Sequence, residues 1–539
     1  MKGYSQCQIF TVLVCLLMLS GYKARAYHEY FIGNEITYEQ TGANTFQVYL
    51  IIYQGCNVPQ PTSQILNIKA PGCNNGRSFN VYLQSSRLAA PNCSRTLNNC
   101  TPGQMNYREL KYTATVTFTP VEMACPDWVL SWSLSTSRYA TQNMASALDF
   151  YGEARLKLLP GMVNSSPKFG FISSSFIRHN QPVQVSNYAV DPDGDSLVYS
   201  IQNPLEAYNT PIPYAYLPNT VLYNADSSKF SPLNGPYGNN YPIVSYTIDW
   251  SQPMPLFPVK KFSLNTRTGS IGFIPKDFTP NTSFPNNKEN KYTMVMQVDE
   301  YRKINGAMVK IGTVRRDMFF TVIADTGNRN PEIVNAAANN QPVTENDVIF
   351  LRPGAPLNFQ FATADADGND SLTVTSDVSE ILPGAVLNLN TSAKPTGSFS
   401  WTPTIAHFRN QTYYFHVRVE DNSCPMKGFQ IFTFGVKVSA SGSVTGISNN
   451  LNSAANFTAY PNPFSEELHF NLNLQTKAES ILIYNLLGQN VDEISLKTVG
   501  LGTQKVQWQN AGKHAAGTFV ARLISADKTM QTLKFTRLQ

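Results

Sequence analysis

Three aspartates fall within five residues at Asp191, Asp193 and Asp195, in the stretch DPDGD, and Asp365, Asp367 and Asp370 nearly repeat the arrangement in DADGND. Carboxylates this close repel one another unless water or a hard cation lies between them. Calcium, which takes about six to eight oxygen ligands, suits such a cluster. Further oxygens stand at Asp299 and Glu300, at Glu420 and Asp421, and at Asp325, Asn328 and Asn330 in the stretch ADTGNRNP. An ion-free account is equally complete: Asp191 first, Pro192 second and Gly194 fourth satisfy a type I turn unaided. On the sequence both readings stay open.

The helix-flanked EF-hand loop does not fit, since Ser196 stands where its glycine is needed and Gln202 where its bidentate glutamate should be. No H-E-x-x-H, G-x-S-x-G or glycine-rich phosphate loop is present, and His28, His179, His407, His416, His469 and His514 share no ligand spacing. The expectation is therefore a protein without catalysis and without a cofactor other than calcium. A glycosidase-type carboxylate pair, whose members can be far apart in the chain, keeps a hydrolase as the less favoured reading.

The elements that must position these acids are strands. Charged residues make up 14% of the chain, with 34 prolines and 32 glycines spread along it, and Tyr, Phe, Asn, Thr and Ser abound. That mix suits pleated, half-buried strands and polar loops, so the fold class expected is all-β, with several sandwich domains in series. An internal repeat supports this. DPDGDSLVYSI (191–201), FSLNTRTGSIGFIP (262–275) and the long run 292–322 recur in order as DADGNDSLTVT (365–375), LNLNTSAKPTGSFSWTP (387–403) and 413–438. The acidic turn and the hairpin are separated by residues 202–261 in the first copy and only 376–386 in the second. The first copy thus carries a large insertion, whose stretch 211–242 displays Tyr214, Tyr216, Tyr223, Tyr237 and Tyr241. Tyrosines on a long loop offer flat faces with hydroxyls for a saccharide, or simply cover a sheet edge.

The chain opens with Lys2, an apolar run from Ile9 to Leu19, and small residues at Ala24 and Ala26, which read as a secretory signal peptide over 1–26. Its removal takes Lys2, Lys23 and Arg25 from the formal net charge of +5 and leaves +2, with no nucleic-acid footprint. No later stretch is apolar for long enough to span a membrane as a helix. Cys56, Cys73, Cys93, Cys100 and Cys125 cluster in the first mature block, as disulfides of an exported domain would. Two bridges are expected there, Cys93 with Cys100 as the favoured short one, leaving two unpaired thiols, Cys424 among them.

The order of acidic turn, hairpin and two long closing strands resembles the cadherin-like and immunoglobulin-like modules of bacterial surface proteins over roughly residues 165–440. In that resemblance Asp325 to Asn330 sits as a calcium-binding linker, from which Arg329 departs. The opening hairpin with Tyr53-x-x-Cys56 resembles the N-terminal region of large Bacteroidota surface proteins. Near the C-terminus, AYPNPF (459–464), YNLLGQ (484–489) and the closing GTFVARL hairpin closely resemble, in order and spacing, the C-terminal sorting domain of type IX secretion substrates. Tyr460, Pro461, Asn462, Pro463, Phe464, Leu486, Gly488, Gln489, Gly517 and Lys534 fall on that family's recurrent positions, and Phe519 takes a place often held by tyrosine. The resemblance implies passage through the type IX machinery to the outer-membrane surface or the medium. The organisation expected is a signal peptide (1–26), a disulfide-bearing sandwich (27–160), cadherin-like domains at 161–325 and 326–440, a linker (441–456) and a sorting domain (457–539). An adhesin or scaffold for surface polysaccharide or other surface proteins fits this plan.

Overall fold

A computed structural model describes residues 31–55, 59–89, 107–135, 138–146, 149–170, 176–217, 235–248, 258–280, 288–325, 327–345, 347–409, 411–424, 427–439, 457–460, 464–474, 477–485, 490–514, 517–525 and 530–537. Almost all regular structure is strand, and the chain forms two compact units, 1–442 and 443–539. The signal peptide, linker, Cys93, Cys100, Tyr223, Pro461 to Pro463, Leu486, Gly488 and Gln489 lie outside the described residues.

In the first unit, the opening strand Phe31–Gly42 forms the expected hairpin with Thr45–Gly55. From there a sheet runs through Tyr107–Thr117, Asn75–Ala89, Ser63–Ala70 and Asp127–Leu134 to Phe150–Lys157. Both outer strands of this path return to one long strand, Ala307–Ile323. Asn34 and Glu35 pair with Asp317 and Arg316, while Ala154 to Leu156 pair with Val314 to Gly312. The two ends of the path are thus joined through one strand, which leaves less edge for strand addition. One core extends from Phe31 to Val322, so the expected boundary at residue 160 falls within a shared sheet and a shared core. The seam needs close backbone approach: a Cβ on Gly33 would lie 2.3 Å from the Asp317 carbonyl oxygen. Two buried ion pairs flank it, Arg316–Glu35 at 2.5 Å and Arg138–Asp317 at 2.7 Å.

The two repeats have equivalent sheets. In the first, Ser196–Gln202 pairs with Lys291–Ile304, which pairs with Ala307–Ile323, and Phe176–Arg178 adds to the last of these in parallel. In the second, Thr373–Ser376, Tyr413–Glu420 and Phe429–Val438 repeat that order, and Val348–Leu351 is the parallel addition. An opposing sheet built on Glu332–Ala338, Leu357–Ala364 and Thr396–Trp401 closes the second core around Phe359, Phe399, Phe415 and Phe434. Alternation drives this packing: Leu357, Phe359 and Phe361 are buried while Asn358 and Gln360 between them are exposed.

Cysteine pairing differs from expectation. Cys73 is bonded to Cys125, with Cα atoms 6.1 Å apart, inside the predicted cluster. Cys424, expected as a free thiol, is itself disulfide-bonded.

The second unit is a small sandwich of a three-stranded and a four-stranded sheet around Phe464, Phe470, Trp508, Phe519 and Phe535. Phe464 is the buried anchor of the proline-bracketed entry. Its N–H donates to the Thr536 carbonyl at 2.9 Å, and its ring packs on Trp508 and Phe535. Tyr460, by contrast, is 70% exposed. Gly517 and Lys534 lie in the paired closing strands, Gly517 with Arg537 and Lys534 with Val520.

Candidate metal centres

The first acidic turn is formed as the turn chemistry requires. The Gly194 N–H reaches the Asp191 carbonyl at 3.4 Å, Gly194 takes a positive φ, and Asp191 Oδ1 accepts the N–H groups of Asp193 and Asp195 at 3.0 and 2.9 Å. The turn nevertheless leaves acceptors over. Glu300, opposite Leu197 on the neighbouring strand, is 0% exposed and lies against Asp191 and Asp195. Burial first, and then the charge of Asp191, hold its carboxyl well above the usual carboxylate range. Its Oε2 accepts from Asn164 Nδ2 at 3.2 Å, while Oε1 and Asp191 Oδ2 are buried with no hydrogen-bond partner. Burial raises Asp191 to about 6, against backbone hydrogen bonds that lower it, and Asp195 and Asp193 add to the rise. Two carboxylates in contact are both acceptors, so a proton or a cation must stand between them. One cation is built in: Arg302 forks onto Asp195 at 2.7 and 2.5 Å and reaches Asp193 at 4.0 Å.

The second centre gathers Asp365, Asp370 and Asp421, each offering a carboxylate oxygen within 4.8 Å of the others. Asp421 is 1% exposed; its Oδ1 accepts from the N–H groups of Gly428 and Ser423 at 2.8 and 3.0 Å, and its Oδ2 from Asn328 Nδ2 at 2.7 Å. Asp365 Oδ1 accepts the Asp367 N–H at 2.8 Å, but Asp365 Oδ2 and Asp370 Oδ2 are buried without partners. Desolvation pushes the pKa values of Asp365 and Asp421 up. Lys394 Nζ sits close by, yet on backbone carbonyls: 2.6 Å from that of Asp365 and 3.3 Å from that of Asp367. The charge of these acids is felt at Arg178: burial lowers its pKa, and Asp421, Asp325, Asp367 and Asp370 draw it back up. Unlike the first centre, no salt bridge to these three carboxylates is formed among the described residues.

Strand alternation decides which of the predicted acids face inward. Of Asp299 and Glu300 only Glu300 turns in; Asp299 pairs with Lys310 at 2.6 Å and accepts from Thr313 at 2.9 Å. At the equivalent position of the second repeat Asp421 turns in, and Glu420 pairs with Arg418 and Lys427 at 2.7 and 2.5 Å. Asp193 and Asp367 each accept a backbone N–H, from Ser165 at 2.6 Å and Arg329 at 2.5 Å. Asp325 caps its own turn at Gly327 and meets Gln181, and Asn330 donates to the Pro182 carbonyl. Asn328 is thus the junction residue that touches an inward acid.

Sequence reading missed the glycines that make room. Gly312 pairs with Glu300, and a Cβ there would stand 2.2 Å from Glu300 Oε2. Gly428 holds the corresponding place beside Asp421, where a Cβ would stand 2.4 Å from Oδ2. A glycine facing the inward acid in both copies is a signal that the repeat alignment carries.

The tyrosines of the insertion mostly turn inward. Tyr237 and Tyr241 belong to the core, and Tyr241 Oη donates to the Ser245 carbonyl at 2.8 Å. Tyr214 is half-buried, and Tyr216, 80% exposed, is the outward ring among the four described. The apolar faces of these rings are worth more in the core than in water, which corrects the expectation of a joint binding platform.

Residues 458–535 match the family described as secretion system C-terminal sorting domain, and residues 339–425 match the bacterial Ig domain family. The chain therefore ends in a type IX sorting domain, carries a bacterial Ig domain, and is a secreted or cell-surface protein. No curated protein matches it. Among solved structures, the first eight Ig domains of Down Syndrome Cell Adhesion Molecule are 12% identical, cover 94% of this chain, and give a TM-score of 0.16. The chain spans about half, 49%, of that structure. Protocadherin Gamma B7 cadherin domains 1–4 are 11% identical over 73% of this chain and 84% of that one, with a TM-score of 0.14. A Ca2+-stabilized adhesin with which an Antarctic bacterium binds ice is 10% identical over 92% and 94%, again at 0.14. Among the described residues no helix is long and apolar enough to cross a membrane.

Proposed function

We propose that this protein is a non-catalytic adhesin or scaffold, carried across the outer membrane by its C-terminal domain and held in working shape by calcium at its two sandwich repeats. The observation that carries the reading is the coincidence of a sorting domain at 458–535 with unsatisfied, buried carboxylate oxygens at the same place in both repeats. A hydrated hard cation satisfies such oxygens without a proton. The second centre is the stronger of the two, because among the described residues no salt bridge reaches Asp365, Asp370 or Asp421, whereas Arg302 is paired with the first. Asn328 belongs to the segment joining the repeats, so a cation bound there would stiffen that junction. A surface protein that reaches outward benefits from a stiff junction.

Export is tested by deleting residues 457–539. The sandwich core of 464–535 is separate from the cores upstream, so the deletion should leave the remainder folded but retained in the periplasm. Equal amounts of the deleted and full-length proteins on the cell surface would remove the sorting role from this domain. Adhesion is tested by comparing attachment of cells with and without the full-length protein to one another and to purified surface polysaccharide.

A further inference from the structure

We infer that the cleft between the two repeats binds a carboxylate-bearing saccharide. The cleft has a volume of about 180 Å³ and is walled by Tyr188, Asp191 and Arg267 of the first repeat and by Arg409, Gln411 and Tyr414 of the second. At ~30 Å³ per water this is space for about six waters, or one sugar ring with its carboxylate. Arg267 and Arg409 both line it, and among the described residues neither forms a salt bridge. Arg409 lies 3.5 Å over the Tyr413 ring, and its Nη2 reaches the Thr412 carbonyl only at 3.5 Å. Its Nε is buried without a hydrogen-bond partner, and burial lowers its pKa. Arg267 has its backbone N–H on Asn265 and no carboxylate partner among the described residues. Of the acids on the wall, Asp195 is already held by Arg302, and the charge of Asp191 draws the Arg409 pKa back up against burial.

This is the chemistry of a planar carboxylate, which a guanidinium fork grips in two parallel hydrogen bonds. The remaining walls favour a sugar as its carrier. Tyr188 and Tyr414 meet edge to face at 5.8 Å and offer apolar surface to a ring's C–H groups. Gln411 supplies a donor and an acceptor for ring hydroxyls. A free phosphate would leave the tyrosines unused, and an acidic peptide would need a groove rather than a ring-sized recess.

The inference rests on the adhesin reading and names a ligand for it. The test is calorimetric titration of the full-length mature protein with tetragalacturonate, a neutral tetragalactoside, inorganic phosphate and a glutamate-rich peptide. Tetragalacturonate should bind, and the neutral oligomer, phosphate and peptide should bind at least about tenfold more weakly, the loss of one charge-assisted pair. Arg409→Gln and Arg267→Gln should each weaken tetragalacturonate by a similar factor, and Tyr216→Ala should not. Arg409 packs on Tyr413, so if its variant fails to fold the exposed Arg267 decides. Equal binding of the neutral oligomer, of phosphate or of the peptide, or wild-type binding by both arginine variants, overturns the assignment. Cell attachment that persists while tetragalacturonate fails to bind would overturn this site alone and leave the adhesin reading standing.

Discussion

Replacing Glu345 by glutamine should remove a pH dependence of stability that the wild-type protein carries between about pH 4.5 and 7. Glu345 reaches across the contact between the repeats, where its Oε2 accepts from Gln184 Nε2 at 2.7 Å and its Oε1 is buried without a partner. Burial pushes its pKa up from 4.5 to about 7, against the lowering pull of Gln184 and the Thr433 N–H. The folded-state pKa lies above the unfolded one, so the folded protein holds the proton more tightly. The stability this contributes is complete below about pH 4.5 and is lost as pH rises through 7. A shift of about 2.5 units at 1.36 kcal/mol each sets a ceiling of roughly 3 kcal/mol, and water reaching the site would reduce it to about 1–3 kcal/mol. Glutamine keeps an oxygen for Gln184 and cannot ionise. Urea unfolding of the full chain at pH 5, 6, 7 and 8 should show wild type losing ground to Glu345→Gln with each step, and the variant the more stable at pH 8. Parallel pH profiles for the two proteins would refute the burial argument.

Gly312→Ala and Gly428→Ala should each abolish the calcium response of one repeat, because the added Cβ would stand 2.2 Å from Glu300 Oε2 or 2.4 Å from Asp421 Oδ2 and must displace that carboxylate. Calorimetric stoichiometry falling by one ion per variant is the check, and unchanged stoichiometry counts against the site. Cys73→Ser with Cys125→Ser opens a bridge spanning 52 residues and should cost about 2–5 kcal/mol in unfolding of the N-terminal sandwich, read by urea denaturation under oxidising conditions.

The all-β class was legible because apolar residues alternate through runs such as Leu357 to Phe361, and the repeat was legible because turns, hairpins and closing strands recur in order. The sorting domain was legible from its entry and closing strands, with Phe464 as the residue whose burial explains the stiff entry. The merger of the N-terminal strands with the first repeat was not. It depends on Ala307–Ile323 pairing with strands that lie well over a hundred residues earlier, and pairing at that distance leaves no local pattern. At the metal centres the turns could be read, but Arg302 as a resident counter-cation could not, since its role arises only when its strand folds beside the turn. The choice of Glu300 over Asp299 was open to alternation and not drawn from it. The inward turn of Tyr237 and Tyr241 escaped composition altogether, since a loop rich in proline and glycine looks exposed until its rings find a core.

Calcium titration of thermal unfolding on the full mature chain, at constant ionic strength so that screening is fixed, tests the calcium reading most directly. A cation that binds only the folded state adds RT ln(1 + [L]/Kd), about 2.7 kcal/mol per site at a hundredfold excess. The melting temperature should rise with millimolar calcium and fall back with chelator. Asp365→Asn with Asp370→Asn, which removes the charge of the two carboxylates with a free oxygen at the second centre, should erase the second repeat's share of that rise while leaving the calcium-free melting temperature nearly unchanged. A melting temperature indifferent to calcium in the wild-type protein would contradict the account and reduce both acidic loops to turns.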